Sequence, residues 1–471
     1  MIDKKGSTIK DIFKVSISNA AILLSGVLVG FLLPKIIGVT DYGYYKTYTL
    51  YATYVGMFHF GISDGIYLKY GGKDYEALDR DKFRYYSRAF ILIEAVIAVA
   101  LAIFSMLVLR NEYRFIFLFL SIYLLFHNIT SYYQSISQAT SRFNELSSRN
   151  IIQSVIISIA VIGLWIRHRY TGTELTYRTY TILYSFIVVA LALWYTSTYR
   201  DITFGKSVAD ASIRKDISYF IRIGFPLMLA NLCSSLILTL DRQFVNILYD
   251  TDTYAIYAFA YNMLSLVTTA TSAIATVLYP NLRRTDESTL KKQYSSLVGV
   301  ILCVVFACLI IYFPLNLFVN WYLPKYADSL EIFRVIFPGL AISSAITIVM
   351  HNYYKTLGIN FKFFIKTVIT LAVSAAANVV AYYVVGTTVS ISWASIITMI
   401  FWYILVEIYF VKTYRIKWVR NFSYMIIMMV AFYVISTIQN QWVAMVIYFV
   451  AFSIVTLMLL KNEVKLIARR L

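Results

Sequence analysis

The sequence predicts an all-α polytopic membrane protein with about fourteen transmembrane helices, and three observations support this fold class. First, 60% of the 471 residues are hydrophobic and only 14% are charged, whereas soluble domains average about 25% charged residues. Second, the apolar residues form long continuous runs, which cross a bilayer as helices because lipid cannot satisfy an open strand edge. Third, the basic residues are concentrated in alternate connections between these runs.

The apolar runs define the individual spans. A transmembrane β-barrel would instead show short segments of alternating hydrophobicity. The first run follows several lysines, as in a signal peptide, but it is longer than a signal sequence and lacks a small-residue cleavage site, so we interpret it as a retained span. The predicted spans are 12–33, 44–66, 86–109, 115–136, 149–166, 179–198, 219–240, 254–279, 295–313, 330–350, 364–385, 390–411, 421–437 and 442–460.

The distribution of basic residues predicts the orientation of the chain. The connections on the side of the N-terminus carry roughly three quarters of the 42 lysines and arginines, and positive charge is retained in the cytoplasm. Both termini are therefore predicted to be cytoplasmic, with an even number of spans. The net charge of +18 is spread over short loops instead of one compact face, which argues against a nucleic-acid partner and fits an anionic inner leaflet.

The polar connection 199–218 is predicted to be a cytoplasmic linker between two halves. It joins the sixth and seventh predicted spans and follows an N-terminal six-helix bundle, 1–198. A second six-helix bundle is predicted at 219–411, and 412–471 would add two helices and a basic tail. The domain prediction therefore has two comparable bundles and a C-terminal appendage.

A weak internal repeat supports the two halves. The first and seventh predicted spans each end in a basic residue and a short apolar stretch, followed by Thr-Asp and a tyrosine-rich helix start. Parallel repeats related by an axis along the membrane normal are a known transporter design. The two matching segments are Thr40–Tyr42 and Thr251–Tyr254.

Neither a disulfide nor a metal site is predicted. The three cysteines lie in predicted spans, without paired spacing and without accompanying histidines. No phosphate-binding glycine motif of an ATP-driven pump is present either. The cysteines are Cys233, Cys303 and Cys308.

Residues 33–44, LPKIIGVTDYGY, resemble the first-loop signature of bacterial polysaccharide-unit flippases. These are the Wzx-like members of the multidrug/oligosaccharidyl-lipid/polysaccharide exporter superfamily. One segment departs from the family pattern, because the glycine- and alanine-rich sequence that often precedes the twelfth helix is replaced here by TTVSIS at 387–392. Further similar segments are Phe60–Ile66, Tyr70–Lys73, Asp241–Arg242 and Tyr279–Pro280.

The resemblance implies a fold and a function. The two bundles would form a V, as in MATE exporters, around a central cavity. The substrate would be a polyprenyl-diphosphate-linked oligosaccharide, flipped to the outer leaflet of the bacterial cytoplasmic membrane by alternating access. The implied partners are membrane lipid and the polysaccharide polymerase and glycosyltransferases of the same pathway. Flipping breaks no bond, so no enzyme activity and no cofactor are implied.

Three basic residues are candidates for binding the diphosphate. A charged headgroup loses its hydration in hydrocarbon, so its transport needs cationic and polar side chains in a cavity. Lys35 and Lys46 bracket the first outward loop, and Arg242 ends the seventh predicted span. Alternatively, the two lysines extend to the membrane interface, and the charge of Arg242 is compensated locally by Asp241.

Two uncharged residues are candidates for contacting the sugars. Tyr48 belongs to a dense tyrosine run on the second predicted span, and aromatic faces can stack on sugar rings. Asn231 is one of several polar residues on the seventh predicted span. Alternatively, the tyrosines form an interfacial belt or reflect a composition bias, and small polar residues serve helix packing.

Asp64, Glu94 and Asp241 are candidates for binding a coupling proton or cation, because acids at membrane depth are functional hypotheses by default. The alternative for Glu94 is a neutral carboxyl or a partner on a neighbouring helix. His59 and His127 also lie near membrane depth, and we interpret them as hydrogen-bonded core residues.

Other functions remain open at the level of sequence. A drug/cation antiporter of the same superfamily would need strongly acidic sites in the N-terminal half, where this chain has few. A peptidoglycan-precursor flippase fits the helix number but would be expected to show an arginine cluster in the first two helices. A glycan polymerase would need a large outward loop, and the longest predicted one, 313–330, carries only Lys325 as a basic residue.

Overall fold

The structure is a computed structural model and describes residues 2–207, 211–283, 285–416 and 418–468. Within these ranges the chain is helical, apart from loops and one isolated bridge between Ile37 and Leu175. Side chains are described throughout these ranges except for those of 2–16, 211–214, 269–277, 279–281, 283 and 465–468.

The helices follow the apolar runs. Short 3₁₀ turns and one π-helical segment, Ala345–Met350, connect some of them. The α-helices are α1 (Ile2–Ile36), α2 (Val39–Val55), α3 (Ile62–Tyr70), α4 (Arg80–Val108), α5 (Asn111–Ala139), α6 (Phe143–Thr171), α7 (Tyr177–Thr198), α8 (Ala211–Ile237), α9 (Leu240–Leu248), α10 (Thr251–Arg283), α11 (Glu287–Cys308), α12 (Tyr312–Tyr322), α13 (Ser329–Ile336), α14 (Gly339–Ser344), α15 (His351–Thr356), α16 (Asn360–Val384), α17 (Thr388–Tyr414), α18 (Val419–Ile435), α19 (Gln441–Leu459) and α20 (Lys461–Ala468).

The fold is that of a multi-pass membrane protein, which confirms the predicted class. In the described residues, 10 helices are long and apolar enough to cross a membrane. A pair bent by 43°, Ser329–Ile336 with Gly339–Thr356, raises this to 11. Every predicted span overlaps one or more helices. The figure of about fourteen crossings stays a prediction, because several predicted spans are short or broken helices.

Two predicted boundaries are wrong. The predicted second span, 44–66, is two helices, because α2 ends at Val55 and α3 begins at Ile62. Gly61 in the intervening turn has φ 75°, a left-handed conformation that favours glycine. The predicted outward loop 313–330 is also wrong in its first half, since α12 occupies Tyr312–Tyr322. Pro314 lies in the first turn of α12, where proline is tolerated.

The chain divides into two compact units, unit 1 (Met1–Leu232) and unit 2 (Cys233–Leu471). In unit 1, the beginning of the predicted linker is fastened to α4. Arg84 Nε donates to the Asp201 carbonyl at 2.8 Å, and Arg88 Nε donates to the Thr203 carbonyl at 3.0 Å. Two of the arginines that are predicted to lie on the cytoplasmic side therefore donate hydrogen bonds to backbone carbonyls of the linker. Linker residues 208–210 lie outside the described residues.

Unit 1 also contains a backbone contact between α3 and α8. A Cβ atom at Gly65 would lie 2.3 Å from the Phe220 carbonyl oxygen, so only glycine fits there. Beside this contact, Lys69 Nζ pairs with Asp216 Oδ1 at 2.8 Å. The Tyr86 hydroxyl donates to the other oxygen of Asp216 at 2.5 Å. The inward half of the predicted second span is therefore held on α8 by close packing and an ion pair.

Unit 2 is built around buried aromatic side chains, and its last helices pack on α11. Tyr294 stacks on Phe410 with ring centroids 4.3 Å apart. Asn421 Nδ2 on α18 donates to the Ser295 carbonyl at 2.8 Å. Arg420 pairs with the buried Glu463 of α20 at 2.6 Å. The C-terminal helices are thereby tied to the rest of this unit.

Candidate functional site

The break between α2 and α3 brings helix ends into the interior of unit 1. Gly56 follows the last residue of α2, and Gly61 precedes α3. The Gly61 N–H donates to His59 Nδ1 at 3.2 Å, which stabilises the turn. The last carbonyls of a helix lack N–H partners within the helix, and transporters use helix ends within membrane spans to hold ions. Here the carbonyl of Val55, the last residue of α2, accepts the N–H of Phe58 in the turn at 3.2 Å. The break therefore identifies the first region to search for ionisable side chains.

Glu94 on α4 and Asn128 on α5 form a buried pair next to this break. Both side chains have 0% exposure. Asn128 Nδ2 donates to Glu94 Oε2 at 2.8 Å, and its contact with the Val55 carbonyl is longer, 3.5 Å. Within the described residues, Glu94 Oε1 and Asn128 Oδ1 have no hydrogen-bond partner. Nor does any described basic side chain form an ion pair with Glu94.

Two histidines and Asp64 lie around the same break. His59 Nε2 lies 4.0 Å from Asp64 Oδ2. The ring of His127 stacks on Tyr123 with centroids 4.7 Å apart, and it lies close to where a Cβ at Gly56 would be, 3.2 Å away. The sequence interpretation of both histidines as core residues agrees with this packing. Asp64 differs from Glu94 because it is partly exposed and has a histidine beside it.

The two candidate lysines have different environments. Lys46 is partly buried, and its Nζ lies over the rings of Tyr42 and Tyr45, 5.1 Å and 5.6 Å from their centroids. Cation–π contact of this kind fixes an ammonium group without neutralising it. Lys35 is exposed at the end of α1. Lys46 is therefore the more firmly positioned of the two cations.

Tyr48 is buried in the packing of α2 against α5. It is 1% exposed, and its ring makes an edge contact with Tyr123 at 6.1 Å. Its hydroxyl lies beside Ser185 but has no hydrogen-bond partner in the described residues. Tyr44, Tyr51 and Tyr54 of the same run are partly exposed. The spacing of the tyrosines alone did not reveal which of them are exposed on the surface of unit 1, since that depends on how α2 is rotated in the unit.

Asp41, which the sequence placed in the first predicted outward loop, lies instead in the first turn of α2 and has a structural partner. Its Oδ1 accepts the backbone N–H of Tyr177, the first residue of α7, at 2.8 Å. The N-terminal N–H groups of a helix lack partners within the helix, so this carboxylate helps to fix the start of α7. This contact joins residues 136 positions apart, and no sequence pattern predicts it.

Unit 2 contains the second pair of candidates, Asp241 and Arg242, at the start of α9. Asp241 is 2% exposed and accepts hydrogen bonds from the Tyr257 hydroxyl, at 2.8 Å, from the Tyr261 hydroxyl and from the Arg242 backbone N–H, at 2.8 Å. The Arg242 guanidinium lies over the Tyr261 ring, 4.4 Å from its centroid, and donates to the Leu238 carbonyl at 3.0 Å. Both carboxylate oxygens are therefore occupied.

The guanidinium of Arg242 keeps one donor nitrogen, Nε, that no described residue accepts from. No described acid lies within ion-pair distance of the guanidinium. The local compensation by Asp241 that the sequence suggested is thus a backbone contact and not a side-chain ion pair. Asn231, the remaining candidate, is partly buried on α8 in unit 1.

These side chains are better suited to binding a charged ligand, and to carrying a bound cation, than to covalent chemistry. Each unit offers a cation fixed on tyrosine rings, Lys46 in unit 1 and Arg242 in unit 2. Each unit also contains a buried acid, Glu94 or Asp241. In the described ranges, three or more histidine, cysteine, aspartate or glutamate side chains are nowhere grouped as metal ligands.

Comparison with known proteins identifies the family to which the chain belongs. The model of a family described as "Polysaccharide biosynthesis protein" matches residues 8–286 of the chain. No curated protein sequence matches it. Among solved structures, it is similar to the lipid II flippase MurJ in an inward closed conformation, with a TM-score of 0.71 and 14% identity. That match covers 97% of this chain and 100% of MurJ.

Two MATE transporters have a similar fold. An inward-facing MATE family transporter of the MOP superfamily gives a TM-score of 0.62 at 13% identity, covering 86% of this chain and 99% of the transporter. A mutant of a MATE transporter from Vibrio cholerae gives 0.59 at 13% identity, covering 87% and 98%. These are structures of a flippase and of transporters, not of enzymes, and they agree with the resemblance carried by residues 33–44.

Proposed function

The chain belongs to the polysaccharide biosynthesis protein family, and on that basis we propose that it flips a polyprenyl-diphosphate-linked oligosaccharide to the outer leaflet of the bacterial cytoplasmic membrane. The observation that carries the proposal is Arg242, whose guanidinium is fixed on the Tyr261 ring while its Nε has no partner in the described residues. A planar guanidinium with free donors matches phosphate oxygens, which it can bind through two N–H groups at once.

A second cation, Lys46, would contact the headgroup in unit 1. Its Nζ is held over the rings of Tyr42 and Tyr45. A diphosphate carries more than one negative charge, so cations in both units suit a substrate handed from one to the other. Lys35 and Asn231 would add a rim cation and an amide for the sugars. Tyr44 and Tyr51 replace Tyr48 as the stacking candidates, because Tyr48 is buried.

Transport would proceed by alternating access of two six-helix bundles, with the lipid tail remaining in the bilayer. The membrane potential favours the outward movement of negative charge by about 2.3 kcal/mol per charge across 100 mV. Inward movement of a proton or another cation bound at Asp64 or Glu94 would add to this drive, whereas Asp241 has both oxygens occupied. The substrate would come from glycosyltransferases, and the product would pass to a polymerase.

The test is a flipping assay with the purified chain in vesicles of phosphatidylethanolamine and phosphatidylglycerol. The vesicles contain a fluorescent polyprenyl-diphosphate trisaccharide, and a membrane-impermeant quencher reports the fraction in the outer leaflet. We expect the chain to move this lipid but not a fluorescent phosphatidylcholine. Movement of neither lipid in protein-containing vesicles, with the potential imposed in both directions, would contradict the proposal.

Substitution of the cations refines the assay. Arg242→Ala should slow flipping about 10- to 100-fold, because a hydrogen bond to a charged group contributes about 1.5–3 kcal/mol. Arg242→Lys should restore only part of the rate, since an ammonium group lacks the bidentate geometry. Lys46→Ala should behave like Arg242→Ala. The matched control is Lys325→Ala, which removes an exposed lysine outside these contacts.

A second candidate function is a drug/cation antiporter, and the buried Glu94 with an open carboxylate oxygen favours it. An antiporter would exchange a cationic drug for the cation bound there. The same vesicles distinguish the two functions. Uptake of a fluorescent cationic dye against a proton or Na⁺ gradient, without movement of the lipid-linked trisaccharide, would favour the antiporter.

A further inference from the structure

We propose that a groove on the surface of unit 1 binds one anionic phospholipid of the inner leaflet through Arg88. The groove lies between α4, α5, α7 and the first residues of the predicted linker 199–218. Its volume is about 420 Å³, within the range of ordinary ligand sites, about 300–1,000 Å³. Three observations lead to this ligand: the apolar lining, the charge at one end, and the engagement of the other polar groups.

The groove is apolar over most of its length. Eight of the eleven residues that line it have apolar side chains. Among them Leu92, Leu193 and Phe204 are 66%, 59% and 59% exposed. In a bilayer, exposed apolar surface on membrane helices contacts lipid tails, which are as apolar as leucine. The lining therefore fits an acyl chain.

Arg88 supplies the charge of the groove, at the end nearest the start of α4. Its exposed guanidinium donates to neutral oxygens, from Nε to the Thr203 carbonyl at 3.0 Å, from Nη2 to the Gly205 carbonyl at 2.5 Å and from Nη1 to Ser207 Oγ at 3.5 Å. A guanidinium has five N–H groups, so one on each terminal nitrogen has no acceptor in the described residues. No described acid lies within 4.0 Å of Arg88.

The two preceding arginines on the same face of α4 differ from Arg88 in this respect. Arg80 lies 3.6 Å from Asp201, and Arg84 lies 2.6 Å from Asp81. A spacing of four residues places all three arginines on one face of the helix. The arginine of this row that has no described acidic partner is therefore the one that lines the groove.

The linker holds the Arg88 guanidinium in place. Gly205 has φ 115°, a conformation that favours glycine, and a Cβ there would lie 3.0 Å from Arg84 Cζ. This close approach lets the linker present its carbonyls to both arginines. The cation is thus positioned before any ligand binds, which lowers the entropic cost of binding.

The other polar side chains of the groove are engaged within the protein. The Thr196 hydroxyl donates to the Ala192 carbonyl at 2.8 Å, and the Thr203 hydroxyl donates to the Tyr199 carbonyl at 2.7 Å. A single cation beside an apolar groove matches one phosphodiester with acyl chains better than it matches a headgroup rich in hydroxyls. Basic pockets between membrane helices on the cytoplasmic side, where Arg88 is predicted to lie, bind anionic lipid headgroups.

The experiment locates the lipid by photolabelling of the purified full-length protein in phosphatidylcholine nanodiscs. Two probes are compared at equal trace amounts, phosphatidylglycerol and phosphatidylcholine with the same diazirine in one acyl chain. Peptide mass spectrometry measures labelling of 88–95, 192–196 and 203–204. Arg88→Gln removes the charge, and Ala95→Phe fills the groove while Arg88 remains. Arg80→Gln, which removes an exposed arginine from the same helix, is the matched control.

We expect phosphatidylglycerol to label the groove at least fivefold more strongly than phosphatidylcholine, the effect of about one basic side chain at an anionic membrane surface. Arg88→Gln should abolish this preference, and Arg88→Lys should keep part of it. Ala95→Phe should lower the labelling of the groove by both probes. Arg80→Gln should be labelled like wild type.

Three results would overturn the site. Equal labelling by the two probes, or a preference that Arg88→Gln leaves unchanged, would mean that the groove contacts bulk lipid only. Displacement of the probe by unlabelled polyprenyl diphosphate at a lower concentration than by unlabelled phosphatidylglycerol would assign the groove to the flipped lipid. If Arg88→Gln does not fold, Ala95→Phe decides, because unchanged labelling in that variant would place the acyl chain elsewhere.

The site is independent of the proposed function. The labelling of wild type and variants uses no lipid-linked oligosaccharide and no transport, so its failure leaves the flipping proposal to its own assay. Loss of flipping with intact phosphatidylglycerol labelling would likewise leave the phospholipid site in place.

Discussion

The two units each bury an acid, and they hold it in opposite ways. In unit 2, two tyrosine hydroxyls and a backbone N–H occupy both oxygens of Asp241. In unit 1, a single amide donates to Glu94, and one carboxylate oxygen is left without a partner in the described residues. The side chains are buried to a similar extent, 2% and 0% exposed. The difference therefore lies in hydrogen bonding and not in access to water.

This contrast distinguishes an acid that orients a neighbouring side chain from an acid that can bind and release a cation. A carboxylate bonded on both oxygens is stabilised in its charged form and cannot accept a further ligand without losing a bond. Asp241 also binds the Tyr261 hydroxyl, and the Arg242 guanidinium lies on that same ring. We therefore expect Asp241 to orient the cation that contacts substrate, and Glu94 to bind and release the coupling cation.

The largest expected effect comes from removing the saturated acid. Asp241→Ala deletes the acceptor of two buried tyrosine hydroxyls, and each buried donor left unsatisfied costs about 1–3 kcal/mol. We expect the free energy of unfolding to fall by about 2–5 kcal/mol, seen as a large drop in the thermal unfolding midpoint in detergent. If Asp241→Ala instead unfolds like wild type and loses only cation binding, the roles of the two acids are reversed.

A milder change at the same position tests whether Asp241 stabilises the fold mainly through its charge or mainly through its hydrogen bonds. Asp241→Asn keeps one acceptor oxygen and replaces the other with an NH₂ donor. That donor faces either the two tyrosine hydroxyls that bond Oδ2 or the Arg242 backbone N–H that bonds Oδ1. We expect a loss of about 1–2 kcal/mol, between wild type and Asp241→Ala. Flipping should slow as well, because the Tyr261 ring no longer positions Arg242. Flipping at the wild-type rate would show that Arg242 is positioned without Asp241.

The corresponding change in unit 1 should have little effect on folding. Glu94→Gln keeps an oxygen for Asn128 and leaves no ionisable group in the interior, so we expect the free energy of unfolding to change by less than about 1 kcal/mol in either direction. Transport driven by a cation gradient should be lost, while downhill flipping of the lipid should persist. A large loss of stability in this variant would mean that Glu94 is a structural acid like Asp241.

The sequence identified both acids but could not rank them. Asp241 and Glu94 each interrupt an apolar run, and that pattern is visible without a structure. The partners that distinguish them are distant in sequence or depend on helix rotation. Asn128 lies 34 residues from Glu94, and Tyr257 and Tyr261 lie 16 and 20 residues from Asp241. Which faces of two helices meet is set by packing, and the spacing of apolar residues does not encode it.

The fold was more predictable than the site, for a related reason. Long apolar runs must become helices in a bilayer, so the helices α4, α5 and α7 follow directly from composition. The break between α2 and α3 was missed because Gly56 and Gly61 lie inside a run that is mostly apolar and contains no proline. A glycine within a membrane helix is common, and only the tertiary contacts of the turn decide whether the helix is interrupted.

The smallest expected effect concerns Tyr48, which we predicted from the sequence to contact sugars but which is buried in the structure. Its hydroxyl has no hydrogen-bond partner in the described residues, so Tyr48→Phe removes a buried polar atom without breaking a bond. We expect stability within about 0.5 kcal/mol of wild type and an unchanged flipping rate. Tyr51→Phe and Tyr51→Ala are the comparison, because Tyr51 is partly exposed on the same helix. If Tyr48→Phe slows flipping while Tyr51→Ala does not, α2 must rotate during transport and bring Tyr48 to the substrate.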